Sequence, residues 1–556
     1  MRELAYKYAL KNALDYGKAE RSAVLGKVVA ENPELRDEIS KLMPLVDEAV
    51  KKVNSMSRRE LEKEIKNFEF KEKKVEKMTA LPELENAEKV ILRFAPNPSG
   101  PLHIGHCRAA VLNQEYAKKY KGKLILRFED TDPDRVNPEA YDMIVHDLEW
   151  LGIEAHEAVV QSERLEIYYE HAKKLVERGS AYVCTCKQSD FKESRDSGKP
   201  CRCRNRSVEE NLKKFSKMFS DYREGEAVLR LKTGLELPDP PMREFPILRI
   251  VERPHPRAGD KRVYPLYNFS VAVDDHLLGV THVLRGKDHI ANTKKQEFIY
   301  NYFNWKKPTF IHYGLLKIEG LELSTSLMDK DIKRGVYTGW DDARLGTLLA
   351  MRRRGIQPEA IRKAMLDVGI KDTDINFSWK NLYAYNRALI DRDANRYFFV
   401  DSPKEVIVEG AIKKKPEALL HPDFPERGKR MLEFPIKDGK ARFFISVEDF
   451  STLRGGDFVR LMEAFNIEVL EKGAKIRARF HSEALEEARK RKAPLIQWVS
   501  GKSVKVKVVM PDGELKGLGE ENLRKLHPDD IVQFERFGFV RIDSIGEEIV
   551  SYFAHK

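Results

Sequence analysis

Val90-Ile91-Leu92-Arg93-Phe94-Ala95-Pro96-Asn97-Pro98-Ser99-Gly100-Pro101-Leu102-His103-Ile104-Gly105-His106 is the stretch that decides the fold. Val90 to Phe94 is a short apolar run, read as a buried strand, and Pro96 and Pro98 end it because proline has no N–H for a sheet ladder. A helical stretch follows from Arg108 to Tyr120, then a second apolar run from Leu124 to Phe128, then a helix with Ile144, Leu148 and Leu151 on one face. Strand, helix, strand and helix in this order form a βαβ unit and hence a parallel sheet. A loop that leaves such a strand and enters a helix is where α/β sheets bind ligands, and the helix N-terminus favours phosphate. His103 and His106, three residues apart at a helix start, project to one side and can donate to phosphoryl oxygens. Gly105 between them lacks a Cβ, so a base or ribose can lie against its backbone.

Upstream, residues 1–85 are charge-dense, and Ala5, Leu10, Ala13, Leu25, Val28, Leu42, Leu45 and Ala49 recur mostly at helical steps. Asn32-Pro33 breaks this pattern, and Lys71 to Lys77 reads as a solvated face or linker. Downstream, residues 180–262 turn polar and irregular, with four of the five cysteines and the cluster Pro238 to Pro241. Strand-like runs resume at Tyr267 to Val273 and Thr281 to Leu284, and Trp340 to Asn395 is helical. Beyond Asn395 the period becomes two, in Val406-Ile407-Val408, Arg442 to Ile445 and Val504 to Val508, with Asp438-Gly439 and Asp512-Gly513 as turns. That pattern predicts an antiparallel barrel or pair of barrels.

At 556 residues the chain has room for about three to four domains. Hydrophobic residues at 42% suffice for several cores, while a mean hydropathy of -0.53 and the lack of a ~20-residue apolar run argue against a membrane protein. Charged residues interleave Met1 to Lys18, so no signal-peptide core is read there. Five cysteines exclude a disulfide scaffold, and a cytoplasmic multidomain protein is expected. A net charge of +11 fits a polyanionic partner.

Pro98 to His106 resembles the HIGH signature of class I aminoacyl-tRNA synthetases. Arg93 to Gly100, Leu126 to Asp132, Tyr264 to Phe269 and Val273 to Arg285 resemble the glutamyl/glutaminyl branch in particular, over about residues 88 to 395. The β C-terminus agrees with the archaeal/eukaryotic type of this branch. The resemblance implies a multidomain α/β plus all-β chain. Its parts are an N-terminal helical extension (1–86), a Rossmann-type catalytic domain (87–179 and 262–318) and an inserted acceptor-stem-binding domain (180–261). A KMSKS-like loop with a helical connector (319–394) and a C-terminal β-barrel anticodon-binding domain (395–556) follow.

By the same resemblance, Pro98, His103, Gly105, His106 and Leu316 bind ATP, accompanied by Mg²⁺, and Arg93, Ala95, Asn97, Glu129, Tyr267 and Arg285 line the amino-acid pocket. Glu129 suits the substrate ammonium group, Tyr267 can bond the side chain, and Arg93 and Arg285 can grip a side-chain carboxylate. Arg285 points to L-glutamate, since glutaminyl enzymes of the branch carry a small uncharged residue there. A desolvated charge partner is worth about 2–5 kcal/mol, enough to set substrate choice. The alternative for Arg285 is a structural ion pair with Asp274 or Asp288. Valine at Val271, where bacterial enzymes tend to place a polar side chain, means that contact is not carried over.

The second signature is matched by Glu322-Leu323-Ser324-Thr325-Ser326, in which Ser324 and Ser326 fit but Thr325 stands where the family has its catalytic lysine. Lys317, Lys330 and Lys333 are the nearby candidates to replace it, Lys330 and Lys333 foremost; otherwise hydroxyls, N–H groups and Mg²⁺ suffice. Cys184, Cys186, Cys201 and Cys203 form two C-x-C pairs separated by 14 residues, a set able to supply four thiolates to a structural zinc, or else four reduced thiols that pack. Basic candidates for tRNA phosphates are Arg202, Arg204, Arg206 and Lys213, then Arg352 to Arg354 and Arg489 to Lys492. The expected activity is ligation of glutamate to tRNA(Glu), with tRNA(Gln) left open. A glutaminyl enzyme on the same scaffold and a non-catalytic tRNA-binding paralogue are the alternatives. A monomer is expected, with residues 1–85 available to a protein partner.

Overall fold

The computed structural model describes residues 1–32, 35, 39–68 and 81–556, in two compact units, Met1–Met78 and Thr79–Lys556. The expected features at Pro33 and at Lys71 to Lys77 lie outside the described residues.

The first unit has helices α1 (Arg2–Tyr16), α2 (Arg21–Glu31), α3 (Ile39–Asn54) and α4 (Arg58–Glu64). Gly17, at φ 80°, ends α1 in the left-handed conformation that glycine adopts without strain. Ser57 and Glu60 form a reciprocal capping box that starts α4. Of the residues read at helical steps, Ala5, Leu10, Ala13, Val28, Leu42 and Ala49 are buried, with Ala9, Val24, Val46 and Val53, in a core of the unit's own, while Leu25 is only partly buried.

The second unit begins with the parallel sheet. Strands β1 (Ile91–Phe94), β2 (Lys123–Phe128) and β3 (Glu157–Val160) pair in that order, linked by α5 (Ile104–Lys119) and α6 (Ala140–Trp150). After α7 (Leu165–Glu177) the chain leaves for β4 (Ala181–Cys184), α8 (Gln188–Asp196), α9 (Val208–Met218), β5 (Val228–Leu231), β6 (Pro246–Ile250) and β7 (Val263–Pro265). Tyr267 to Val273, expected as a strand, instead begins the buried helix α10 (Tyr267–Leu277), through which the chain returns to β8 (His282–Gly286), α11 (Ile290–Phe303) and β9 (Thr309–Tyr313), with β8 and β9 parallel. The Thr281 N–H donates to the Ile91 carbonyl at 2.9 Å, which sets β8 beside β1. Arg93 and Arg285, from strands far apart in sequence, thus come from neighbouring strands.

Strands β4 to β7 form an antiparallel meander. Its core includes Leu165 and Tyr168 of α7 and Phe269 of α10 as well as Val183 and Leu229, so this core crosses the expected boundaries at 180 and 261. At the other end, residues 81–86, expected in the helical extension, pack with the second unit. Leu84 is buried in its core and donates its N–H to the Tyr120 hydroxyl (2.7 Å), while the Lys119 Nζ donates to the Leu81 carbonyl (2.7 Å).

The connector contains β10 (Leu316–Lys317), α12 (Thr325–Lys333), α13 (Leu348–Arg353), α14 (Pro358–Val368), β11 (Ile375–Asn376) and α15 (Trp379–Ile390). Leu348, Met351, Ile361, Met365 and Leu382 are buried in one core with Leu92, Val111 and Leu126, so the connector packs directly on the signature helix α5.

Two large sheets and a two-stranded ribbon, Glu417–Leu419 against Lys429–Met431, make up the C-terminal part. Asp438 and Gly439, both at positive φ, form the turn between Ile436–Lys437 and Lys440–Ile445. The sheets are not purely antiparallel: Lys404–Glu409 pairs in parallel with Ile476–Ser482, and Val504–Met510 with Glu548–His555. Alternation reports which face is buried and is blind to strand direction. In the seven-stranded sheet, Arg396–Tyr397 pairs with Ile531–Phe534 while adjoining Phe399–Asp401 pairs with Gly513–Gly519 at the other end. One segment therefore closes the sheet on itself. Leu495–Ile496 and Val499–Ser500 do the same for the eight-stranded sheet.

Candidate active site and zinc centre

His103 is the N-cap of α5, and its Nδ1 accepts from the Gly105 N–H (3.1 Å). His106 Nδ1 accepts from the His103 N–H (3.3 Å), and the two rings stack with centroids 3.7 Å apart. Burial pushes His103 down to about 2 and His106 to about 4, so both imidazoles are neutral. With each Nδ1 used as an acceptor, the ring proton sits on Nε2, and both residues present an N–H donor. A Cβ at Gly105 would lie 2.9 Å from the His103 ring, so the glycine makes room for the histidine itself rather than directly for a base. The loop is braced from the connector: the Ile104 N–H donates to the Gly346 carbonyl and the Leu348 N–H to the Leu102 carbonyl, both at 2.9 Å. The buried Asp147 carboxylate accepts the Leu102 N–H at 2.7 Å.

Toward the amino-acid pocket, the Glu129 N–H donates to the Pro96 carbonyl (3.0 Å) and the Asn97 Nδ2 to the Glu129 carbonyl (2.8 Å). Pro98 is buried and Ala95 half-buried in the same loop. Arg127 donates to Glu129 Oε1 (2.9 Å) and to Asp275 Oδ1 (2.6 Å), and Arg93 Nε lies 3.6 Å from that oxygen. Burial alone would lower the Arg127 pKa, but Asp275 and Glu129 outweigh it and hold the guanidinium charged. Burial raises the Glu129 carboxyl, against the pull of Arg127 and Arg93. Tyr267 shares this neighbourhood: burial pushes its phenol up to about 12, Glu129 adds to that, and Arg285 and Arg93 oppose it.

Arg285 is 5% exposed, and its Nη2 donates to Thr293 Oγ1 (2.6 Å) and Gln296 Oε1 (2.9 Å). Its Nε and Nη1 have no acceptor at hydrogen-bond geometry, and burial lowers its pKa although Tyr267 and, more weakly, Asp275 favour the charged form. Neither of the expected structural counter-ions is used: Asp274 accepts from Gln161, Arg164 and Tyr168, and Asp288 lies beside His289. A buried guanidinium with two unpaired donors is costly unless an anionic ligand completes it. Val271 is wholly buried core.

Sequence reasoning had assigned no role to Arg127, Asp275, Thr293 or Gln296. A signal for Arg127 existed: Ile125-Leu126-Arg127-Phe128 repeats the Ile91-Leu92-Arg93-Phe94 pattern, a cation inside an apolar strand. For the others, only the packing of α10 and α11 against β8 brings them in.

The second signature loop meets the first. The Ser99 and Thr325 hydroxyls are 2.8 Å apart, and Ser324 caps α12, its Oγ accepting the Leu327 N–H at 3.4 Å. Ser326 is exposed. Lys333 pairs with Asp329 (2.7 Å) and, at about 1.5 Å per residue, stands about 12 Å along the helix from Thr325; Lys330 is about 7.5 Å along it. Lys317 lies 3.9 Å from Asp374. Leu316 starts β10, beside Ile375, and packs half-buried on the central core.

The sulfurs of Cys184, Cys186, Cys201 and Cys203 all lie within 4.8 Å of one another. Cys184 and Cys201 are 4.0 Å apart and Cys186 and Cys203 3.6 Å, against an edge of about 3.8 Å for a tetrahedron with Zn–S near 2.3 Å. The Thr185 N–H points at the Cys203 sulfur (3.5 Å), as suits a thiolate. Four soft donors at this spacing fit zinc. Cys107 is buried in α5, its sulfur 3.6 Å from the His103 carbonyl, and is no part of this cluster.

Several basic candidates are structural instead of free for phosphate. Arg204 pairs with Glu244 (3.1 Å), and Arg206 donates to the Val183 carbonyl (3.0 Å). Arg353 pairs with Asp341 and Asp543, and the buried Arg354 donates to the Phe553 and Ala554 carbonyls. Arg202, Lys213, Arg352 and Arg489 to Lys492 are exposed. A cavity of about 390 Å³ between the two C-terminal sheets, lined by Arg396, Phe398, Lys429, Gln533 and Arg536 among others, had no forewarning in the sequence.

Residues 89–392 match the model of the catalytic domain of tRNA synthetases class I (E and Q), and residues 394–482 and 495–543 match its two anti-codon binding domain models. A "Glutamate--tRNA ligase" of Methanocaldococcus jannaschii is 54% identical over 563 residues, covering 100% of both chains. One from Pyrococcus furiosus is 50% identical, covering 100% of this chain and 99% of that one. A crystal structure of a glutamate tRNA ligase from Elizabethkingia meningosepticum in complex with its amino acid covers 55% of this chain and 71% of its own at 23% identity, with a TM-score of 0.38, too slight a likeness to carry an argument. The chain belongs to the glutamyl and glutaminyl (E and Q) family of class I tRNA synthetases, with a catalytic domain on parallel sheets followed by strand-rich anticodon-binding domains.

Proposed function

We propose that the chain is a glutamate–tRNA ligase, which activates L-glutamate with ATP and transfers it to the 3′ end of tRNA(Glu). The observation that carries this reading is the Arg285 guanidinium, buried, without a carboxylate partner, and with two donors unpaired. Arg93, Arg127 and Arg285 against Glu129 and Asp275 leave one positive charge in the pocket, three less two. Glutamate, with one ammonium and two carboxylates, cancels that charge, and glutamine does not. A glutaminyl enzyme on this scaffold would leave Arg285 uncompensated, and the intact histidine pair and pocket oppose a non-catalytic paralogue.

In the first step the glutamate α-carboxylate attacks the α-phosphorus of ATP and pyrophosphate leaves. The Nε2–H groups of His103 and His106 donate to the phosphate oxygens, and Glu129 faces the substrate ammonium group. Ala95, Asn97 and Tyr267 shape the amino-acid site, while Pro98, Gly105 and Leu316 border the nucleotide and Ser324 and Ser326 belong to the loop that closes on it. The terminal ribose hydroxyl of tRNA then attacks the glutamyl carbonyl and AMP departs. No covalent enzyme intermediate is required, since positioning alone is worth about 7–11 kcal/mol. Mg²⁺ enters with ATP as counter-ion to the triphosphate.

The meander that begins at residue 180 is the acceptor-end domain. Cys184, Cys186, Cys201 and Cys203 would hold a zinc that supplies structural cross-linking there and no chemistry. Residues 395–556 read the anticodon, whose unstacked bases are recognised by stacking and edge hydrogen bonds. The helical extension is available to tRNA or a protein partner, and the activity is cytoplasmic and monomeric. ATP–pyrophosphate exchange with tRNA(Glu) present, run with glutamate and with glutamine, tests the proposal. Glutamate alone should support exchange, and exchange with glutamine only would refute it. Charging of separate tRNA(Glu) and tRNA(Gln) transcripts settles the tRNA.

A further inference from the structure

Arg285 selects by charge only if nothing in the protein cancels that charge first. Its Nη2 is bound by two acceptors, and both are neutral: the Thr293 hydroxyl at 2.6 Å and the Gln296 amide oxygen at 2.9 Å. Gln296 is wholly buried on α11, and its orientation is fixed from both ends, because its Nε2 donates to Asn268 Oδ1 at 3.3 Å while its Oε1 faces Arg285. Thr293 is held in turn by His312, whose Nε2 is 2.8 Å from its hydroxyl. The Phe310 ring lies 5.0 Å from the guanidinium carbon and fixes its plane. Every donor that could turn toward the helix is thus occupied by a neutral group, and Nε and Nη1 are left for the pocket.

The neighbouring arginines are treated differently. Arg127 reaches Asp275 and Glu129, and Arg93 lies by Asp275, so their charge is answered inside the protein. Among these three buried cations, Arg285 alone is anchored by neutral acceptors only. An isosteric carboxylate at position 296 would hold it in the same place and give up the selectivity.

We infer that Gln296, with Thr293 behind it, is a specificity-determining positioning residue: its neutral amide fixes Arg285 while leaving the cation's charge for the substrate side-chain carboxylate. This rests on the glutamate-ligase reading and names the device by which that site tells an acid from its amide.

The test is pyrophosphate exchange with tRNA present, using full-length Gln296→Glu and Gln296→Met beside the wild type, with kcat/KM measured for glutamate and for glutamine and KM for ATP. Gln296→Glu should lower kcat/KM for glutamate at least ~30-fold and the glutamate-over-glutamine ratio at least ~10-fold, the scale of a desolvated charge partner, with the ATP KM unmoved. Gln296→Met adds no charge, so it should raise the glutamate KM and keep the ratio within about threefold. Should Gln296→Glu fail to fold, Thr293→Asp places a carboxylate against the same Nη2 and must lower the same ratio. A folded Gln296→Glu or Thr293→Asp enzyme that keeps the wild-type ratio overturns the inference. Equal ratios in Gln296→Glu and Gln296→Met overturn it too, since a packing role would not separate them. A wild type that prefers glutamine would instead overturn the functional reading beneath.

Discussion

The Ser99 and Thr325 hydroxyls, 2.8 Å apart, join the histidine loop to the serine-threonine loop across more than 200 residues of sequence. Thr325, which the resemblance sets at the family's lysine position, bonds the other loop through its hydroxyl, and we propose that it aligns the two. Ser99→Ala and Thr325→Val should each lower kcat/KM for ATP about fivefold, the worth of a hydrogen bond near 1 kcal/mol. The double variant should be no worse than either single one. Additive losses in a double-mutant cycle would show that the hydroxyls act separately.

Removing the cation tests the pocket itself. Arg285→Ala should cut kcat/KM for glutamate by roughly 30-fold to several thousand-fold. Arg285→Lys should recover part of this, because a lysine keeps the charge and loses the planar fork. Steady-state exchange kinetics with tRNA present read both.

The four-cysteine cluster predicts about one zinc per chain in protein purified under reducing conditions, measured by metal analysis. Cys203→Ser or chelation should release the metal and expose the 187–200 segment to proteolysis, with charging of tRNA lost. Metal-free protein of equal protease resistance would leave the sulfurs as packed thiols.

Burial raises the Asp147 carboxyl to about 7, against the pull of the Leu102 N–H and of Arg352. Its folded pKa lies above its unfolded value of 3.8, so the folded state holds the proton more tightly, and stability falls as pH rises from about 4 through about 7. At roughly 1.4 kcal/mol per pKa unit, the loss has an upper bound of about 4 kcal/mol. Asp147→Asn mimics the protonated acid and keeps an acceptor for the Leu102 N–H. Its thermal midpoint should gain on the wild type between pH 5 and pH 8, and parallel curves would contradict this.

The parallel sheet and the histidine loop could be read from the sequence because each is local: an apolar run, two prolines, a glycine and a helix start follow one another within 17 residues. The cysteines could be read for the same reason. The partners of Arg285 could not, since Thr293 and Gln296 lie on a helix whose approach to β8 is settled by packing alone. Arg352-Arg353-Arg354 shows the opposite failure. As letters the triplet is a phosphate-binding surface, yet Arg353 and Arg354 fasten α13 to the C-terminal strands, and only Arg352 faces water. A run of charge gives no clue to which members have acceptors waiting inside the protein.

Because Phe399–Asp401 and Val499–Ser500 each complete the circuit of their sheet, neither C-terminal sheet leaves a long row of unpaired amide groups at a rim. A neighbouring chain finds no template there for adding a strand, which guards a crowded solution of this protein against fibrous aggregation. Loosening of either short closing segment would remove that guard and uncover core side chains with it, since Phe399, Val400 and Val499 are buried.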